Sequence, residues 1–146
     1  MPTIQRQIIG LGAKMNIQGE DDSQVVTPCP TLLTYDTENP FAVDLTVLGQ
    51  GGTLKYSIER KDLFTGRYYP TGSDLFRITP ADEMGVNAPE NTTIIAEMVG
   101  EGARILMIQT DELSDFLNDT TRLMPLGKEP QIDIDDMLTQ LLKEEI

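Results

Sequence analysis

The chain has 146 residues, of which 39% are hydrophobic, and its 24 acidic and 11 basic residues give a formal net charge of -13. This length predicts one domain, spanning 1–146, with a core that needs neither disulfides nor a structural metal. The absence of histidine excludes histidine-activated nucleophiles, an imidazole base and His-ligated zinc, and the negative charge disfavours nucleic acid and anionic lipid as partners.

The composition also predicts a cytosolic protein. No apolar run approaches the roughly 20 residues that a membrane span needs, and the first residues, MPTIQRQ, lack the apolar core of a signal peptide. Cys29 is the only cysteine, which excludes an internal disulfide and fits a reducing compartment. We interpret it as a half-buried small residue rather than a nucleophile.

The first predicted element is a strand from Thr3 to Ile17, because polar and apolar residues alternate loosely there. Gly10 and Gly12 within it indicate a bend or the close approach of a neighbouring backbone. The acidic run at 19–23 is interpreted as a solvated loop, since a calcium site needs more oxygen ligands at fixed spacing.

Val25 to Thr34 is interrupted by Pro28 and Pro30, which predicts an edge segment or an extended connector. Two alternating runs follow on either side of a glycine-bearing loop at 49–52 and predict a hairpin. The residues expected to be buried in its first strand are Phe41, Val43, Leu45 and Val47. A phosphate-binding loop is the sharper alternative for GQGG, but no Lys-Ser/Thr follows it.

Arg60 to Gly66 predicts a helical turn that ends in a left-handed cap at Gly66. The surrounding basic and aromatic residues form one cluster: Arg60, Lys61, Arg67, Tyr68 and Tyr69. This composition can serve single-stranded nucleic acid, but three charges are few. The alternative is that these residues pair with neighbouring acids or line a protein contact.

Leu75 to Thr79 predicts a strand and Pro80 to Asn91 a polar loop. Thr92 to Val99 and Ala103 to Gln109 then predict a second hairpin. Its second strand is apolar on both faces. Such a strand needs either helices across it or another subunit.

An amphipathic helix is predicted from Thr110, its expected N-cap, to the stop signals Pro125 and Gly127. Its inward residues are Leu113, Phe116, Leu117 and Met124, and its outward residues are Asp115, Asn118, Asp119 and Arg122. Asp111 and Glu112 place negative charge at the positive end of the helix dipole.

A second amphipathic helix is predicted from Asp133 to Leu142, followed by a soft tail at 143–146. Its acids Asp133, Asp135 and Asp136 resemble a metal cluster, but acids at a helix N-terminus explain them more simply. A carboxylate-only enzyme built on Asp133, Asp135 or Glu129 is a further alternative, although nothing places two of these across a pocket. We therefore expect neither a cofactor nor a metal.

The order of elements predicts an α+β fold with a mainly antiparallel sheet covered by helices.

Five motifs, within a core at 24–142, resemble those of a known family. They are YDTENPFAV (35–43), RKDLFTG followed by YYPTGSDLFRI (60–78), GEGARIL (100–106), FLNDTTRLMPLGKE (116–129) and IDIDDMLTQLL (132–142). In this order they resemble the SsgA-like proteins, sporulation-specific cell-division regulators of filamentous actinomycetes.

The resemblance implies a non-enzymatic adaptor that helps to bring the tubulin-like division protein FtsZ, or family paralogues, to septa. It also implies a homotrimer of Whirly-like subunits, a fold of single-stranded nucleic-acid-binding proteins. Single-stranded nucleic-acid binding is therefore the alternative function. We expect protein contacts at Arg67, Tyr68, Tyr69, Asp115, Asn118, Asp119 and Arg122.

The residues that match the family motifs are mostly turn and packing types, so we interpret them as fold determinants. They are Tyr35, Asp36, Pro40, Phe41, Ala42, Val43, Arg60, Gly66, Pro70, Gly72, Arg77, Ala103, Phe116, Leu117, Thr120, Pro125, Gly127 and Glu129. The chain departs from the family pattern at Asn39, Lys61, Asp74 and Glu101, and it has no tryptophan. These departures indicate a divergent member.

Overall fold

The computed structural model describes residues 2–16, 26–49, 52–84, 88–100 and 102–128. Its strands are β1 (Thr3–Asn16), β2 (Thr27–Asp36), β3 (Ala42–Gly49), β4 (Gly52–Glu59), β5 (Thr71–Gly72), β6 (Phe76–Pro80), β7 (Thr92–Val99) and β8 (Gly102–Gln109). Its helices are α1 (Arg60–Gly66), α2 (Ala81–Met84) and α3 (Thr110–Leu123). The predicted acidic loop at 19–23, Glu129, the C-terminal helix and the tail lie outside the described residues.

The eight strands of the described ranges form one antiparallel sheet in the order β4-β3-β2-β1-β8-β7-β6-β5. Two meanders, β1–β4 and β5–β8, are local in sequence because each strand pairs with the next one along the chain. β1 joins them by pairing with β2 through residues 3–12 and with β8 through residues 11–16. The predicted α+β fold with a mainly antiparallel sheet is confirmed.

Gly10 and Gly12 lie where β1 passes from one meander to the other. A Cβ at Gly10 would lie 2.6 Å from Cδ1 of Leu106, and a Cβ at Gly12 would lie 2.7 Å from Sγ of Cys29. These approaches leave no space for a side chain, so glycine lets the neighbouring strands pack closely here. Cys29 itself is buried.

The main core lies on one face of the sheet, here called the inner face, and both meanders contribute to it. Leu33, Val43 and Leu45 come from the first meander, while Ile78, Ile95 and Ile108 come from the second. Tyr56 on β4 packs edge-to-face on Phe76 of β6, with ring centroids 5.5 Å apart. The sheet therefore curls so that its two halves enclose a common core.

Helix α3 covers the inner face, as its periodicity predicts. Leu113, Phe116 and Leu117 are fully buried, and burial of each such side chain contributes about 1.5–3 kcal/mol. The predicted N-cap is wrong by one residue, since Gln109 occupies that position without a side-chain cap. Thr110 instead is the first residue of the helix. Its hydroxyl lies 2.8 Å from that of Thr93 in a buried hydrogen bond, so it does not cap the helix.

Strand β8 is buried on both faces within a single chain. Leu106 and Ile108 belong to the inner core, whereas Ile105 and Met107 belong to a second cluster on the outer face. Ala81 of α2 packs into this second cluster. The apolar pattern of β8 therefore does not by itself require another subunit.

Three local predictions are corrected by the fold. The expected connector at 25–34 is mostly β2, a strand between β1 and β3. Its prolines are accommodated because β3 pairs only with residues 31–34, which leaves Pro28 and Pro30 with a partner on the β1 side alone. Within the expected polar loop at 80–91, residues 81–84 form α2, and Phe41 is 46% exposed rather than buried.

Gly66 ends α1 for a different reason from the one predicted. Residue 67 after it keeps a right-handed helical conformation, and Gly66 is not among the glycines with positive φ. A Cβ at Gly66 would instead clash with the side chain of Ile78. This glycine allows α1 to lie directly on β6, and no left-handed cap forms.

Candidate protein-binding surface

The outward side of α3 carries the four polar residues predicted to make contacts. Asp115 and Arg122 have side chains 69% and 81% exposed, Asn118 is exposed, and Asp119 is 35% exposed. Their positions follow from the helical period. The four polar residues recur at intervals of three and four, and Phe116, Leu117 and Thr120, which lie between them in sequence, are buried. The solvent-exposed side of α3 therefore carries both negative and positive charges.

Arg6 on β1 adds a cation to this side of α3 that no local sequence pattern indicates. Its guanidinium lies 3.6 Å from a carboxylate oxygen of Asp115 and 3.8 Å from one of Asp119. Arg122 lies 3.4 Å from the other oxygen of Asp119. Exposed pairs of this kind contribute about 0–1 kcal/mol each, so their main effect is to orient the side chains.

Arg67, Tyr68 and Tyr69 directly follow α1, and Arg67 contacts α3. The guanidinium of Arg67 donates to the hydroxyl of Ser114 at 2.8 Å and to the Phe64 carbonyl at 3.2 Å. It also stacks between the rings of Phe64 and Tyr68, 5.1 and 4.9 Å from their centroids. Arg67 is thereby fixed, and it holds Tyr68 beside α3.

The two tyrosines are exposed to solvent, Tyr68 at 60% and Tyr69 at 70%. Ser114, which Arg67 contacts, directly precedes Asp115, which Arg6 contacts. The fold therefore brings the two predicted contact groups together along one helix. We call this set the α3 surface: Arg6, Arg67, Tyr68, Tyr69, Asp115, Asn118, Asp119 and Arg122.

Arg60, one of the residues matching the family motifs, lies inside the protein. Its side chain is 1% exposed and its guanidinium lies 4.8 Å from the ring centroid of Tyr35. It donates to the Met124 carbonyl at 2.6 Å and reaches the carbonyl and hydroxyl of Thr120 at 3.4 Å. The cation thus neutralises the negative end of the α3 dipole.

Other motif residues shape turns. The hydroxyl of Tyr35 donates to the Pro40 carbonyl at 3.0 Å, and a carboxylate oxygen of Asp36 accepts from the Glu38 amide at 2.9 Å. Gly72 and Gly127 have φ of +129° and +83°, values that favour glycine. A Cβ at Gly72 would also clash with the Phe76 carbonyl.

The nucleic-acid alternative relied on three basic residues, and the structure separates them. Arg60 is buried and cannot reach a phosphate, while Arg67 is engaged with α3. Of the three, only Lys61 is exposed to solvent. Arg60, Lys61 and Arg67 therefore do not form the predicted basic patch.

A small polar cluster lies on the inner face at Tyr56. The Tyr56 hydroxyl is 3.4 Å from Oε1 of Glu97, and Arg104 lies 3.7 Å from the same carboxylate oxygen. Partial burial raises the pKa of the Tyr56 hydroxyl above its ordinary value of 10.0, and the negative charge of Glu97 raises it further. The cluster links β4 to β7 and β8 across the curl.

Neither a candidate metal centre nor a membrane-spanning helix occurs in the part of the chain that the structure describes. No three cysteine, aspartate or glutamate side chains there are grouped as metal ligands. None of the described helices combines the length and the hydropathy needed to cross a bilayer. The acids at 133–136 lie outside the described residues.

Comparison with known proteins finds one consistent group of relatives. Residues 29–129 match the family model described as Streptomyces sporulation and cell division protein, SsgA. The chain is 32% identical over 124 residues to the sporulation-specific cell division protein SsgB of Streptomyces coelicolor, covering 84% of this chain and 88% of that protein.

Two solved structures have the same fold. One is from work on SsgB mutations that correlate with longitudinal cell division during sporulation of Streptomyces coelicolor, with a TM-score of 0.70, 26% identity and coverage of 88% and 93% of the two chains. The other is the SsgA-like sporulation-specific cell division protein from Thermobifida fusca, with a TM-score of 0.73, 25% identity and 95% of each chain covered.

Proposed function

This chain belongs to the SsgA family of sporulation and cell division proteins, and we propose that it is a non-enzymatic adaptor that binds other division proteins. The observation that carries the proposal is the α3 surface. It combines exposed charges of both signs with two exposed tyrosines, of which Tyr68 stacks with the fixed guanidinium of Arg67. Tyrosine and arginine are enriched among the residues that contribute most to protein interfaces.

The proposed partners are FtsZ or paralogues of this family, and the proposed place of action is the cytoplasm at the division septum. Family membership supports this assignment. We do not extend the proposal to nucleic acid, because Arg60 is buried and Arg67 is engaged with Ser114. An acidic chain of net charge -13 also repels a phosphate backbone.

The adaptor is proposed to be a homotrimer of Whirly-like subunits, in keeping with the family resemblance. One feature of the outer face supports self-association. Ile9 and Leu48 are 66% and 50% exposed; Ile9 pairs with Pro30 of β2, and Leu48 lies on β3 one residue beyond Val47, which pairs with Thr31 of β2. Exposed apolar patches of this kind mark interaction sites.

The α3 surface is tested by the variants Arg122→Glu and Tyr69→Ala, with binding to purified FtsZ measured by biolayer interferometry. Each variant is expected to weaken binding by about fivefold or more, because interface charges and aromatic anchors contribute strongly. Arg67 is left intact since its bond to Ser114 holds the surface together. The matched control is Lys14→Glu, an exposed charge reversal on β1.

The control should bind within about twofold of the unmodified protein, because it lies away from α3. Circular dichroism checks that all variants are folded. Equal binding by Arg122→Glu, Tyr69→Ala and the control would remove the α3 surface from the proposal. An unmodified protein that does not bind FtsZ, and whose fluorescent fusion does not collect at septa in the host, would refute the partner and the location.

A further inference from the structure

The two ends of the sheet differ in how they are protected. At one end β5 is only two residues long, so it offers few free backbone groups. At the other end β4 pairs with β3 without interruption from Ala42↔Glu59 to Gly49↔Gly52. Among the described residues, no strand pairs with the outer edge of β4. The molecule thus has one short edge and one long, regular edge.

The register identifies the backbone groups on the free edge of β4. Gly49 and Gly52 close the hairpin as a pair that exchanges hydrogen bonds, and Arg60 N–H donates to the Phe41 carbonyl at 2.7 Å beyond the other end. Hydrogen-bonded pairs alternate along an antiparallel ladder, so the even-numbered residues of β4 bond to β3. The odd-numbered residues direct their N–H and C=O groups outward: Thr53, Lys55, Ser57 and Glu59.

All four odd-numbered residues are exposed. Proteins usually protect such an edge with proline, a bulge, a covering helix or inward charges. β4 has no proline and no bulge, and Lys55 is its one basic side chain. In the part of the chain that the structure describes, this edge is therefore open to a further strand.

We propose that β4 accepts an extended segment of a partner protein, which pairs with its free edge as a ninth strand. The segment's apolar side chains would alternate onto the inner face, beside Leu54 and Tyr56, of which Leu54 is 36% exposed. Its other side chains would lie beside Lys55 and Ser57 and face solvent. This is the β-strand-addition mode of peptide recognition.

The charge of the chain favours a basic segment over a second copy. Asp44 and Glu59 are exposed beside this edge, and the whole chain carries a net charge of -13. A lysine- or arginine-bearing segment is attracted to this edge, whereas a second copy brings the same negative charge. The proposal adds a second contact site to the proposed adaptor and does not depend on the α3 surface.

The probe is a synthetic peptide with the β3 sequence AVDLTVLG, two lysines at each end and a fluorescent label. This sequence already pairs with β4 on its other edge and alternates apolar side chains, and the lysines supply positive charge. Binding is followed by fluorescence anisotropy, with a scrambled peptide of the same composition as the control. The unmodified protein is expected to bind the ordered peptide in a saturable way and the scrambled one at least about tenfold more weakly.

Ser57→Pro removes an outward N–H without removing a hydrogen bond to β3, because proline is tolerated on edge strands. It should weaken peptide binding by about tenfold or more, whereas Ser57→Ala, which keeps the N–H, should stay within about twofold. Lys55→Pro repeats the test at the neighbouring outward position should Ser57→Pro not fold. The α3 variant Arg122→Glu should bind the peptide normally.

Amide hydrogen exchange by NMR gives a readout that only strand pairing would produce. On adding the peptide, the amides of the four odd-numbered residues should slow, while those of the even-numbered residues, already bonded to β3, should not change. Absence of peptide binding, equal binding by the proline variants, or protection without the odd-even pattern would overturn the proposal. A self-association that Ser57→Pro abolishes in light scattering would also overturn it, because the edge would then be occupied by a second copy.

Discussion

Arg60 connects parts of the chain that are distant in sequence. Its guanidinium lies over Tyr35 at the end of β2 and bonds to the last carbonyls of α3, 60 and 64 residues further along. In the sequence it stands beside Lys61 and close to Arg67, which is why the basic cluster was predicted to include it. Only the fold shows that its side chain turns inward while Lys61 stays in solvent.

Arg60→Met is expected to lower the free energy of unfolding by about 1.5–3 kcal/mol or more, because it removes hydrogen bonds from a charged donor to buried carbonyls while keeping most of the packing volume. Lys61→Met, on the same helix but exposed, is the control and should stay within about 0.5 kcal/mol. Urea unfolding followed by circular dichroism measures both. Equal stability of the two variants would show that the Arg60 network does not hold α3.

Tyr56 gives a pH-dependent prediction. Its pKa is raised in the folded protein, chiefly by burial and then by Glu97, so the folded state holds the phenol proton more tightly than the unfolded state does. The resulting stability is fully present below pH 10 and is lost as the pH rises through the folded pKa. Tyr56→Phe removes this dependence.

The expected result is a smaller loss of stability for Tyr56→Phe than for the unmodified protein between about pH 8 and about pH 11. Urea midpoints at the two pH values measure the difference. Tyr69→Phe is the control, because Tyr69 is 70% exposed. Parallel losses in all three proteins would contradict the role assigned to Tyr56.

At the scale of elements, α3 illustrates how well a local pattern predicts structure. Its three buried positions follow from the helical period alone, and both β-hairpins follow from alternation around glycine.

Phe116→Ala should destabilise the protein by about 3–5 kcal/mol, since it removes a fully buried ring. Asn118→Ala, on the exposed side of the same helix, should change stability by less than about 0.5 kcal/mol. Chemical denaturation that shows similar losses for both would mean that α3 is not packed on the sheet.

What the sequence could not predict depends on contacts between distant segments. Pro28 and Pro30 favour a connector over a strand, yet β2 forms because its pairing with β3 ends at Thr31, so their missing N–H groups are not needed there. No local pattern marks Arg6, because its partners Asp115 and Asp119 are more than 100 residues away. The pairing of β1 with β8, which joins the two meanders, also has no local signature.

At the scale of the whole molecule, the exposed side chains of Ile9 and Leu48 support the proposed trimer. Light scattering of the purified protein should give about three times the 16.2 kDa mass of the chain. Ile9→Asp and Leu48→Asp should each reduce this mass, because they bury a charge in the contact. Val99→Asp is the control, an exposed apolar residue on β7. A monomer, or a mass unaffected by either outer-face variant, would contradict this part of the proposal.

The central place of β1 has a consequence for how the protein is made. β2, which pairs with its first part, leaves the ribosome soon afterwards, whereas β8 follows about 90 residues later. During synthesis the residues of β1 that pair with β8 therefore have no partner strand until β2 to β7 have been synthesised. Closing so long a loop is slow compared with forming a hairpin, so we expect the first meander to form early and the shared core to be completed only when β8 docks.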